Sequence, residues 1–155
     1  MTNKVLTFDD VPYWWAICTN NDCQLRDRCL RRQAAAVAPP TATAHLSIIP
    51  HDRGDVDCPH FVAYETLRFA RGFAGIFADV HREHRAHMKL AIMKYLGHTT
   101  TSKGTYYRYL HGERLLSPEQ QVWIGRLMQR FGYSPDVSFD SYVDDFTFMS
   151  GAPKP

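Results

Sequence analysis

The chain has 155 residues, 45% of them hydrophobic and 22% charged, with a formal net charge of +2. That is enough apolar material for a compact domain, which excludes a wholly disordered chain. No apolar run reaches the ~18 residues that span a bilayer, and Met1-Thr2-Asn3-Lys4 leads into Asp9-Asp10, not into a signal-peptide core. These features predict a cytoplasmic protein with no membrane partner.

The mild total conceals an asymmetry: residues 1–65 carry a net −2, residues 66–132 a net +7 and residues 133–155 a net −3. A basic middle attracts phosphate, or the acidic ends fold back onto it. Three parts are predicted: a cysteine-containing segment over 1–62, a helical unit over 63–135 and an acidic aromatic tail over 136–155, together one compact domain.

In chain order, Tyr13-Trp14-Trp15-Ala16-Ile17 reads as a short strand or packed turn, followed by a helix over 22–32. Small residues and the pair Pro39-Pro40 make 33–44 linker-like and end any helix begun upstream. Residues 46–49 read as extended, and 51–57 as an acidic loop with Asp52, Asp55 and Asp57. From Tyr64 onward the period is helical: Phe69, Phe73, Ile76, Phe77 and Val80 form one stripe. Met88, Ala91, Ile92, Tyr95 and Leu96 form the next, closed by Gly97. Ser102 is placed to cap a short helix ending at Gly112. In the last helix Ser117 is an N-cap, Pro118 suits the first position and Gln120 completes a capping box. Its apolar face is Trp123, Ile124, Leu127, Met128 and Phe131, and Gly132 ends the run. The tail reads as extended, packing Phe139, Tyr142, Phe146 and Phe148 onto the helices. The predicted fold is therefore mainly α: the cysteine segment packed on a four-helix, helix-turn-helix-like unit.

Cys18, Cys23, Cys29 and Cys58 are spaced x4, x5 and x28, three of them within twelve residues. Four thiolates suit a tetrahedral zinc or an iron–sulfur cluster, because soft sulfur donors match those metals. Free buried thiols and two disulfides are the alternatives. His81, His84 and His87 recur every third residue, a pattern that also fits a solvated helix face. No phosphate-binding glycine loop, nucleophile elbow or His-Glu-x2-His zinc helix is present, so no catalysis is predicted.

Residues 102–114 combine bases with rings. At 100° per residue, Tyr106, Tyr109 and Leu110 face one side, which should be core. Thr105, Tyr107, Arg108 and His111 face outward with Lys103 at the edge, offering donors and cations for phosphates and base edges. Leu110-His111-Gly112-Glu113-Arg114-Leu115-Leu116-Ser117-Pro118-Glu119 resembles the end of the recognition helix in Cro and phage-repressor helix-turn-helix domains, a resemblance extending over 88–133. The stretch from Gly97 to Gly112 is about three residues longer than in that family, which lengthens the turn before the third helix. Across most of the chain, Cys29-Leu30-Arg31, Cys58-Pro59, Ala70-Arg71-Gly72-Phe73 and Tyr106-Tyr107-Arg108-Tyr109 resemble an uncharacterised family of small gut-bacterial proteins. That resemblance implies a bacterial setting and no particular activity.

The functional expectation is a small, regulatory nucleic-acid-binding protein. Lys103, Thr105, Tyr107, Arg108, His111 and Arg114 contact DNA or another nucleic acid, and the cysteines hold a zinc brace. The alternatives are a protein-interaction module with a repressor-like core and no DNA contact, or a thiol or metal sensor. The first of these gains if the tail covers Tyr107 and Arg108.

Overall fold

The computed structural model describes residues 4–49, 57–97 and 103–148. The chain divides into two compact units: residues 1–66 with 145–155, and residues 67–144. Among the described residues the elements in chain order are helix α1 (Leu30–Ala36), strand β1 (Thr66–Arg71), helices α2 (Arg82–Gly97) and α3 (Lys103–Leu110), strand β2 (Leu115–Leu116), helix α4 (Pro118–Arg130) and strand β3 (Ser141–Phe146). Single 3-10 turns occupy Phe8–Asp10, Arg26–Arg28 and Ala74–Phe77.

The three strands form one sheet in the order β2-β1-β3, with Ala70 opposite Leu116 and Arg71 opposite Leu115 in antiparallel register. The fold is therefore mixed α/β, not mainly α. The error lies at 64–80, where helical spacing disguised two shorter elements. Phe69 and Ala70 are buried from an extended strand, Gly72 turns the chain at φ 75°, and Phe73 and Ile76 are buried from the turn beyond it. A Cβ at Gly72 would lie 2.5 Å from the Asp140 carboxylate, and that carboxylate accepts hydrogen bonds from the Ala74 and Gly75 amides. Pairing with segments far along the chain overrides the local period.

The helix expected over 22–32 is displaced. Cys29 has extended backbone (φ −104°, ψ 117°) and bridges to Ala63, so α1 starts only at Leu30 and runs to Ala36, short of the proline pair. Elsewhere the local signals hold. Met88, Ile92 and Leu96 are buried on α2, and Tyr106 and Tyr109 on α3. The capping box of α4 forms, with Ser117 accepting from the Gln120 amide. His98 and Ser102 lie outside the described residues, as do Asp52 and Asp55.

Each unit has its own core. That of residues 67–144 gathers Phe73, Met88, Ile92, Leu96, Tyr106, Leu116, Ile124 and Phe139. That of the other unit gathers Leu6, Trp15, Ile17, Leu30, Ala34 and Val62 with Phe146 and Phe148. The tail aromatics are thus divided: Phe139 packs with the helices, while Phe148 meets Trp15 edge-on at 5.1 Å and Phe146 stacks on Tyr64. Tyr142 remains 40% exposed, its ring under the Arg68 guanidinium.

Candidate functional site

Two sites follow from the predicted residues. The first is the outward face of α3. Burying Tyr106 and Tyr109 fixes the rotation of the helix, so Lys103, Tyr107 and Arg108 are exposed, and Thr105 is half-buried. Among the described residues, the Tyr107 ring is left 41% exposed. Gly112 turns the chain at φ 77° directly after the helix, leaving His111, Glu113 and Arg114 exposed. The Tyr107 and His111 rings lie nearly parallel, 6.0 Å apart. Arg108 Nε stands 3.4 Å from the Glu113 carboxylate, and the Arg114 guanidinium lies over the Tyr109 ring.

Two cations enlarge this face beyond the sequence reading. Lys89 of α2 donates to the Tyr107 hydroxyl at 2.9 Å, and its ammonium lies 5.0 Å from the centre of that ring. That hydrogen bond, and then the positive charge behind it, hold the Tyr107 phenol below its ordinary pKa. Arg71 reaches the Gly112 carbonyl from β1 at 3.5 Å. Both residues arrive through tertiary packing, and no spacing in the sequence links them to α3.

The second site is the cysteine-bearing part of the other unit. All four cysteines are free; Cys29 is buried, and Cys18, Cys23 and Cys58 are half-buried. Cys18 donates its amide to the Arg31 carbonyl at 3.0 Å, and Leu30 donates to Val62 at 2.7 Å. Arg31, which no motif in the sequence singles out, is only 3% exposed. Its Nε donates to the His60 carbonyl and its Nη1 to the Ala16 carbonyl, and its guanidinium lies 4.4 Å from the centre of the Trp15 ring. Burial raises the pKa of the Cys18 thiol, opposed by a backbone hydrogen bond at Asn20 and reinforced by the charges of Cys29, Cys23 and Cys58. Burial destabilises the Arg31 cation, while the charges of Cys29, Cys18 and Cys58 favour it. Among the described residues no three His, Cys, Asp or Glu side chains stand ready to hold a metal ion.

The regularly spaced histidines have local partners, two of them sharing Tyr133. His84 Nδ1 lies 2.8 Å from the Tyr133 hydroxyl, which also accepts the His81 amide. His87 Nδ1 stands against the Glu83 carbonyl. Nearby, a cleft of about 310 Å³ is lined by Ile76, Asp79, Met128, Tyr133 and Asp136, among others.

A family model, described as a family of unknown function (DUF6078), matches residues 1–148. The chain belongs to that family. No curated protein and no solved structure matches it.

Proposed function

We propose that the protein binds nucleic acid through the outward face of α3, as a regulatory protein. The observation that carries the reading is the exposed Tyr107–His111 pair set among the bases Lys89, Lys103, Arg108 and Arg114. Cations neutralise phosphates and release condensed counterions. Exposed rings stack on bases or reach their edges with hydrogen-bonding groups. Four such cations acting together on a duplex would give a slope of about −3 to −4 in log K against log salt. Arg108 must leave Glu113 to reach a phosphate, an exchange of one exposed ion pair for another.

The test is fluorescence anisotropy with labelled single-stranded and duplex oligonucleotides over a range of salt. Binding should weaken steeply with salt, and Arg108→Ala should reduce the slope by about 1 while leaving the helical circular dichroism intact. Salt-independent binding, or no binding to either form at low salt, would refute the reading. A protein partner for the same face would then be the better account.

A further inference from the structure

We infer that the occupant of the α3 face is a single strand, whose unpaired bases stack on the Tyr107 and His111 rings; this rests on the nucleic-acid reading above and narrows it to one form. His111 follows Tyr107 by one helical turn, its amide donating to the Tyr107 carbonyl at 2.9 Å, so both rings leave the chain on the same side. Their planes are 14° apart, their centres are 6.0 Å apart, and both residues are exposed. The Tyr107 ring is held before any ligand arrives. Lys89 donates to its hydroxyl at 2.9 Å, and the buried Tyr106 ring meets it edge-on at 5.4 Å. A ring already held in place loses little rotamer freedom when a base lies on it.

A duplex offers this platform little to stack on. Its internal bases have their faces covered by neighbours and present only their edges in the grooves. In a repressor-type helix, edge reading falls to the N-terminal residues. The first three residues of α3 are Lys103, Gly104 and Thr105, and only Lys103 among them carries an exposed polar side chain. The two rings sit instead in the second half of the helix and just beyond its end. Glu113 adds an exposed carboxylate shortly after His111, 3.4 Å from Arg108. The two phosphate rows of a duplex, together one charge per about 1.7 Å of axis, would press against that carboxylate. A single strand brings one row, flexible enough to follow Lys103, Arg108 and Arg114 while its bases turn toward the rings. Exposed rings set among cations are the combination that holds single strands.

The experiment is fluorescence anisotropy on the full chain at one low salt concentration, with three labelled probes of about 16 nucleotides. They are an unstructured mixed-sequence DNA strand, the same strand annealed to its complement, and a strand of equal length with tetrahydrofuran abasic sites in place of its bases. The intact strand should bind at least about tenfold tighter than either of the others. Tyr107→Leu should lower its affinity by roughly 5–100-fold without changing the slope against salt, because a stacking surface is lost and no phosphate contact is. Tyr107→Phe, which keeps the ring, should recover most of that loss. Salt-dependent binding in which the duplex equals or exceeds the strand would overturn the single-strand inference and leave the nucleic-acid reading standing. An abasic strand bound as tightly as the intact one would do the same. No binding to any probe would overturn both. If Tyr107→Leu loses its helical circular dichroism, the abasic and intact strands compared on the unaltered protein still decide.

Discussion

Tyr106 and Tyr107 are neighbours in sequence, yet the helix sends one ring inward and the other outward, and their acidities part accordingly. Burial, and secondarily the charge of Tyr107, pushes the Tyr106 phenol up to about 12 from an ordinary 10.0. The Lys89 hydrogen bond and then its charge draw the Tyr107 phenol below that value. Tyr106 therefore contributes stability that is complete below pH 10 and lost as pH rises toward 12. Tyr107 has the opposite sign: its contribution exists only above its unfolded value and disappears as pH falls through its lowered folded one. In a spectrophotometric tyrosinate titration, Tyr107→Phe should remove an early-titrating group and Tyr106→Phe a late one. Lys89→Met should move the early group upward; an unchanged early phase would refute the contact. Gly72 poses a steric question at the same scale. Alanine there would be strained by the positive φ and would meet the Asp140 carboxylate, which caps the turn at Ala74 and Gly75. Gly72→Ala should cost about 1–3 kcal/mol by urea unfolding.

At the scale of elements, α4 and β1 show which parts of the fold are written locally. The start of α4 is encoded in four consecutive residues, Ser117 to Gln120, whose reciprocal hydrogen bonds satisfy two otherwise orphaned amides. Ser117→Ala should therefore destabilise the unit of residues 67–144 by about 1 kcal/mol, read as a lower midpoint in urea. The strand β1 has no comparable signature. Its partner residues Leu115 and Leu116 lie some forty-five positions on, and its spacing from Phe69 to Phe73 to Ile76 imitates a helix. Gly72, with its positive φ and close neighbours in space, marks where the strand ends. The same division runs through the sites. The outward side of α3 was legible because its two buried tyrosines set the helical phase. Lys89 and Arg71 were not, since α2 and β1 carry them to Tyr107 and Gly112 from distant positions. The cysteines announced themselves by type, but Arg31 becomes visible only once its burial and its two carbonyl partners are known.

At the scale of the whole molecule, charge and core are distributed differently along the chain. The basic residues of the candidate interface all lie in the unit of residues 67–144, and all four cysteines lie in the other. That second unit is closed by both ends of the described chain. Lys4 bridges Asp10 and Asp145 at 2.9 and 2.7 Å, and Phe146 and Phe148 complete the core begun by Leu6 and Trp15. The separation supplies two reporters: thiol labelling, above all of buried Cys29, for the cysteine-bearing unit, and the Tyr95–Trp123 stack, 3.8 Å between ring centres, for the other. Phe148→Ala removes an aromatic ring from against Trp15, a loss of about 3 kcal/mol at a typical buried site. If labelling proceeds through opening of that core, its rate should rise by roughly a hundredfold. The near-ultraviolet circular dichroism of the Tyr95–Trp123 stack should stay unchanged. Leu127→Ala, in the core of residues 67–144, should give the reverse pattern. Loss of both signals together in Phe148→Ala would show that the two cores unfold as one cooperative body.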